Sequence, residues 1–100
     1  MTDDVLIYAN ADGLVTLTLN RPAARNALNT ALAEALASAC RRAVAEAARM
    51  VVIRANGVVF CAGADLKERQ GMSDDAVRAR RVKGFLAYEL IEKLPMPSVA

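Results

Sequence analysis

Apolar and polar positions alternate with different periods along this chain, and each change of period predicts an element. VLIY (residues 5–8) and LVTLTL (14–19) are short aliphatic and β-branched runs, separated by Asn10-Ala11-Asp12-Gly13. An Asp-Gly pair between such runs predicts a β-hairpin, because glycine accepts a positive φ. Asn20 to Asn26, punctuated by Pro22 and two asparagines, reads as a loop. Leu28, Leu32, Leu36, Ala39 or Cys40, Ala43 and Val44 then recur at helical spacing. They predict a helix capped by Asn29 and running to about Ala47.

Met50-Val51-Val52-Ile53-Arg54 is a continuous apolar run closed by one base, the pattern of a strand covered on both faces. Ala55-Asn56-Gly57 is a turn, and Val58 to Cys61 is expected to resume extended structure. Ser73 has the character of an N-cap, with Asp74 and Asp75 placing negative charge in the first turn of a second helix. Val82, Leu86, Leu90 and Leu94, spaced by four, predict its apolar stripe, and Pro95 and Pro97 end it. Ser98-Val99-Ala100 begins another strand. The order strand, strand, helix, strand, helix, strand predicts an α/β fold with right-handed crossovers, not a helical bundle. No low-complexity segment or linker divides the chain.

Composition sharpens this reading in one respect. The apolar fraction is 55% over 100 residues, above the roughly 45–50% usual for globular chains. A chain of this size buries under roughly 70% of its unfolded surface. The excess predicts apolar area covered by further chain or by partner subunits. Thirteen Lys and Arg against eleven Asp and Glu give a net charge of +2, with no dense basic stripe of the kind that binds polyanions. Cys40 and Cys61 are isolated and histidine is absent, so no disulfide framework or metal site is expected. The opening MTDD lacks the basic and apolar regions of a secretory signal, and no apolar run approaches the roughly 18 residues of a membrane span. A cytoplasmic protein away from the membrane is the expectation.

The candidate chemistry lies in VVFCAGADLKE (58–68), where an apolar run passes through side chains of minimal bulk into charge. Glycine for a positive φ, alanine for close helix–sheet packing and Asp65 as a local cap would explain it structurally. A bare backbone that admits a carbonyl oxygen to an amide N–H would explain it functionally. Loss of one such donor costs about 2.7–4 kcal/mol of transition-state stabilisation. The residues leave both readings open.

TLTLNRPAARNALN, followed some thirty residues later by VVIRANGVVFCAGADLKE and then by LPMPSVA, resembles the N-terminal part of the crotonase, or enoyl-CoA hydratase/isomerase, family. The FCAGADLKER…MS form looks most like its methylglutaconyl-CoA hydratase branch. The resemblance spans essentially all 100 residues. It implies a crotonase-like (ClpP/crotonase) spiral of repeated strand-strand-helix units. Residues 1–100 would be the N-terminal portion of a single such domain, ending before the second oxyanion-hole segment. The family binds acyl-CoA thioesters and stabilises an enolate-like oxyanion with two backbone N–H groups. Carried over, the Ala64 amide after Gly63 is the first donor, and the Ala62 carbonyl accepts from the CoA adenine. Arg25 and Lys67 match positions that reach CoA phosphates. Asn26, Ala27 and Leu28 line the edge of the CoA cleft, with Asp65 and Leu66 beside them.

The resemblance also implies syn hydration of a 2-enoyl-CoA, no cofactor apart from the CoA of the substrate, no metal, and a homotrimer or dimer of trimers. Isomerisation or another enolate reaction is the alternative. The second oxyanion donor and the catalytic carboxylates lie beyond this segment in the family. The 100 residues alone are therefore expected to be inactive, and Asp65, Glu68, Asp74 and Glu89 are not counterparts of the catalytic acids. One branch of hydratases binds RNA through lysines on the segment equivalent to 25–34. Here that segment reads RNALNTALAE and has only Arg25, so nucleic acid is not an expected partner. The basic run VRARRVK (77–83) reads as a solvated helix face. An inactive fragment or interaction module is the remaining alternative.

Overall fold

Asp12 (φ 52°) and Gly13 (φ 92°) close the first hairpin. Two successive positive φ values make the tight turn whose twist matches that of paired strands. The computed structural model describes residues 4–63 and 65–100, so the expectation for the MTDD start lies mostly outside the described residues. Strand β1 (Leu6–Ala11) pairs antiparallel with β2 (Leu14–Leu19), from Leu6 opposite Leu19 to Ala11 opposite Leu14. The strand thus runs through the asparagine and alanine expected in the turn, and the turn is only two residues long.

A single 3-10 turn (Pro22–Ala24) leads to helix α1 (Thr30–Ala45), whose N-cap Asn29 accepts from the Leu32 N–H. Parallel strand β3 (Met50–Ala55) follows, in register Leu14–Met50 to Leu19–Ala55. One-turn helix α2 (Leu66–Arg69) and long helix α3 (Asp74–Glu92) then return the chain to β4 (Ser98–Val99), parallel to β3. The sheet order is β1-β2-β3-β4. Ser73 caps α3 by accepting from Ala76 N–H. Among the described residues no helix is long and apolar enough to cross a membrane.

Period-two burial on the strands meets period-3.6 burial on α1. Val15, Leu17 and Leu19 of β2 and Val51 and Ile53 of β3 pack against Leu32, Ala33, Leu36, Ala39 and Ala43 of α1 and Ala87 of α3. Fully burying one leucine contributes about 1.5–3 kcal/mol, so this single cluster dominates stability. The apolar run of β3 does not mark a strand covered on both faces, however. Val51 and Ile53 are buried, Met50 and Val52 are half-buried and Arg54 is exposed, because among the described residues helices cover one face only. Nor do Val58 to Cys61 form a strand; they follow a bent path.

Helix α3 corrects a further expectation. It buries Gly84 and Ala87, while Val82 is 65% and Leu86 37% exposed. Residues spaced by four advance about 40° per step around a helix of 3.6 residues per turn, so a long i+4 row spirals off one face. The small residues instead let α3 approach, and a Cβ on Gly84 would sit 3.6 Å from Leu28 Cδ2.

Candidate active site

Two irregular segments, 20–29 and 56–65, are brought together by one buried side chain. Arg25 (φ 56°) and Asn26 (φ 54°) are consecutive left-handed residues, a conformation that costs L-residues roughly 1–2 kcal/mol each and that asparagine tolerates best. Their N–H groups bond back to Pro22 O (3.1 Å) and Arg21 O (2.8 Å). Asn26 has no exposed surface. Its Oδ1 accepts from Arg21 N–H at 2.7 Å, and its Nδ2 donates to Asn56 O and Val59 O, each at 2.8 Å. Three bonds at a net ~0.5–1.5 kcal/mol each offset the backbone strain. Asn26 was expected at the edge of a CoA cleft; its side chain clasps the two segments from within.

The clasp aligns a short stretch of parallel pairing. Ala62 N–H donates to Arg25 O (3.0 Å), Leu28 N–H to Gly63 O (2.6 Å) and Asp65 N–H to Leu28 O (3.0 Å). Gly63 holds φ 91°, and a Cβ there would meet nothing within 4 Å. Glycine is required by the backbone, and the space beside it is open. Ala64, the expected oxyanion donor, lies outside the described residues, as does the side chain of Leu66. Ala62, Arg25 and Lys67 are exposed around this turn, Ala27 is half-buried and Leu28 joins the core. Among the described residues no backbone donor reaches Ala62 O.

The acidic side chains of the motif are committed to the chain itself. Asp65 Oδ1 caps α2 by accepting from Lys67 N–H (3.0 Å) and Glu68 N–H (3.2 Å), and Oδ2 pairs with Arg21 Nη1 at 3.0 Å. The Glu68 amide bond, helped by Arg21 and the Lys67 amide and opposed by burial, holds its carboxyl below the usual range. Glu68 grips the first turn of α1: both its oxygens accept from Thr30 N–H at 3.0 Å, and Oε1 accepts from the Thr30 hydroxyl at 2.8 Å. Arg80 Nε adds a bond to Oε1 at 2.9 Å. Burial pushes the Glu68 carboxyl up, but the Thr30 and Arg80 bonds outweigh it and its pKa is lowered.

Arg80 corrects the reading of VRARRVK as a solvated face, because its side chain is only 12% exposed. Its Nη2 also donates to Leu28 O (3.3 Å) and Asp65 O (3.2 Å). The rest of that run is partly neutralised, with Arg78 near Asp75 and Lys83 on Glu34. Neither Arg21 nor Arg80 was singled out by sequence reasoning, and a lone arginine in a loop or in a basic run gives no local signal of an ion pair 44 or 12 residues away.

Beside this turn lies a cleft of about 250 Å³, with Leu28, Gly84, Phe85 and Tyr88 as apolar wall and Arg69, Arg80 and Arg81 as cations. No carboxylate lines it among the described residues. An apolar cavity of about 260 Å³ reaches from Leu28 and Tyr88 to Phe60, Cys61 and Ala100. Cys40 and Cys61 are free thiols, and burial pushes the Cys40 thiol up. Among the described residues, no group of three or more His, Cys, Asp and Glu is placed to hold a metal. The arrangement provides open backbone, cations and an apolar wall, which suit a ligand combining an anionic part with an apolar part.

Comparison with known proteins gives the family. A profile of the enoyl-CoA hydratase/isomerase family matches residues 9–100. An enoyl-CoA isomerase/hydratase of Mycosarcoma maydis is 36% identical, with all of this chain and 42% of that protein aligned. The mitochondrial enoyl-CoA hydratase domain-containing protein 2 of Mus musculus is 39% identical over 88% of this chain and 30% of its own length. The crystal structure of an enoyl-CoA hydratase from Mycobacterium smegmatis superposes with a TM-score of 0.90 at 38% identity, covering 96% of this chain and 38% of that one. One from Bacillus anthracis gives 0.87 at 36% identity, covering 94% and 38%. The chain spans 30–42% of the length of these relatives. On this ground the chain belongs to the enoyl-CoA hydratase/isomerase, or crotonase, family and forms the N-terminal part of that α/β fold.

Proposed function

We propose that this chain carries the thioester-binding portion of an enoyl-CoA hydratase, acting in the syn addition of water across the double bond of a 2-enoyl-CoA. As water adds at the β-carbon, electron density moves onto the thioester oxygen. A backbone N–H held ready at that oxygen lowers the barrier. The donor assigned here is the Ala64 amide. One observation carries the assignment: Gly63 O and Asp65 N–H, the groups on either side of position 64, are both committed to Leu28. These two bonds hold the backbone flanking the assigned donor against Leu28. The open space beside Gly63 supports access for a thioester to this turn.

Exposed Arg25 and Lys67 are assigned to the CoA phosphates, and the Ala62 carbonyl to the adenine amino group. Ala27, Leu28, Asp65 and Leu66 form the cleft edge between them, and Asn26 supports it from behind. CoA is part of the substrate, and no further cofactor is invoked. With Asp65 and Glu68 engaged in ion pairs, the groups that handle water and the α-proton lie elsewhere in the assembled enzyme. The exposed Val82, Phe85 and Leu86 of α3 support burial against further subunits in a trimer or dimer of trimers. Two free thiols suit a reducing compartment.

The test is hydration of a short 2-enoyl-CoA by the full natural polypeptide, followed as loss of the conjugated enoyl-thioester absorbance. Ala64→Pro, which deletes the N–H, is expected to lower kcat/KM by about 10²–10³-fold. Equal turnover by this variant refutes the donor assignment. The isomerase/hydratase name of the Mycosarcoma maydis relative favours one second reading, double-bond isomerisation. A 3-enoyl-CoA converted to the 2-enoyl isomer faster than the 2-enoyl-CoA is hydrated would establish it.

A further inference from the structure

Burying an ion pair is a poor way to stabilise a fold, since apolar residues of similar volume usually serve as well or better. The Glu68–Arg80 pair is nevertheless largely enclosed, at 22% and 12% side-chain exposure, and its geometry suggests a different use. Arg80 Nη2 reaches Leu28 O and Asp65 O together, while Leu28 O also accepts from Asp65 N–H. One guanidinium on α3 therefore fixes the backbone of two segments, at Leu28 and at Asp65. Glu68 fixes the guanidinium in turn and ties it to Thr30 at the start of α1. The turn hangs between two helices through a single fork.

We propose that Arg80, oriented by Glu68, is the positioning residue that holds the backbone of Leu28 and Asp65 in the arrangement on which the proposed oxyanion site depends. The inference rests on the acyl-CoA reading above and adds a residue to it. Arg80 lines the cleft beside the turn, but its Nε and Nη2 are spent on Glu68 and the two carbonyls, and it acts through the backbone it holds. Lysine is not a substitute, because an ammonium is a point charge without the planar fork that reaches Glu68 and both carbonyls at once.

The experiment compares wild type, Arg80→Lys and Arg80→Gln in the full natural polypeptide. The readouts are kcat, KM, affinity for free CoA, thermal stability, and the infrared carbonyl band of bound butyryl-CoA carrying ¹³C at the thioester carbon. In wild type the oxyanion donors polarise the carbonyl and move the band to lower frequency. In both variants that displacement is expected to shrink, and kcat to fall by about 10²-fold, the effect of a displacement of about 1 Å. KM and CoA affinity stay close to wild type. A folded Arg80→Lys with wild-type band and kcat overturns the proposal, and so does a fall in kcat matched by equal losses of CoA affinity and thermal stability. Should neither Arg80 variant fold, Glu68→Gln decides by the same two criteria. A wild-type protein that binds the thioester without displacing its band refutes the acyl-CoA reading itself, which keeps the two failures apart.

Discussion

Replacing Asn26 by alanine removes three hydrogen bonds at once and leaves Arg21 N–H, Asn56 O and Val59 O without their partner. Each unsatisfied buried group costs about 1–3 kcal/mol. These groups are only part-buried, so the lower end applies, and the three together come to about 3 kcal/mol. Alanine at φ 54° adds about 1 kcal/mol, since it lacks the tolerance of asparagine for left-handed backbone. The expected loss of about 4 kcal/mol is a large part of the roughly 5–15 kcal/mol that holds a domain folded.

Two companions separate these contributions. Asn26→Gly loses the same bonds without the φ penalty and should be about 1 kcal/mol more stable than Asn26→Ala. Asn26→Asp keeps the acceptor for Arg21 N–H but turns a two-bond donor toward Asn56 O and Val59 O into a second anionic oxygen. At neutral pH it should equal or exceed the alanine loss, with partial recovery in acid as the carboxyl gains a proton to donate. Urea unfolding at constant m gives the numbers, and hydrogen exchange at residues 56–59 reports the loosened segment. A loss below about 1 kcal/mol for Asn26→Ala, or a glycine variant no better than alanine, refutes the clasp.

Ala47 holds φ 53° just past the end of α1, where Ala48 N–H closes the helix onto Ala43 O. Ala47→Gly should gain about 0.5–1 kcal/mol, because relief of left-handed strain exceeds the added chain entropy; an unchanged or lower thermal midpoint contradicts this. Gly63→Ala should lose about 1–2 kcal/mol from backbone strain alone, since nothing within 4 Å obstructs a Cβ, and a loss above about 3 kcal/mol would mean the space is occupied. Glu46 accepts from Tyr8, Asn10 and Arg42, and bonds from Asn10, Arg42 and Tyr8 lower its pKa to about 2. An acid whose folded pKa is depressed stabilises fully above its unfolded value of about 4.3, and that stability is lost as pH falls toward about 2. Glu46→Gln should therefore flatten the stability profile between those limits. In the same variant Tyr8, pushed up to about 12 by burial and by the Glu46 carboxylate, should titrate closer to 10, read by phenolate absorbance.

The parts of this fold legible in the sequence are those governed by local rules. Asp12-Gly13 fixes a turn through φ, and Asn29 and Ser73 cap helices through a bond to an amide three residues on. The period of β2 and of α1 follows from which face each buries. What could not be read depends on distance along the chain. Whether Met50 to Arg54 is covered on one face or two depends on a second layer that the strand's own residues do not encode. The burial of Gly84 and Ala87 in place of Val82 and Leu86 depends on how closely α3 approaches Leu28.

The candidate site divides along the same line. Gly63 was legible because its φ of 91° admits almost nothing else, whereas the roles expected of Arg25 and Lys67 rest on the family resemblance and not on any local rule. Asp65 and Glu68 carry the opposite lesson. Two carboxylates three residues apart beside a glycine turn have the composition of an acid–base pair; the resemblance set them aside from that role, and their partners supply the physical reason. Arg21 lies 44 residues before Asp65, and Thr30 lies 38 before Glu68. Once those bonds are made, both acids are held ionised as acceptors, with no proton to give and no free face to receive one. A general acid needs a raised pKa and an open approach, whereas these have lowered pKa values and occupied oxygens. Their chemistry is therefore to hold backbone in place, and the turn they hold is the one proposed above to bind the thioester.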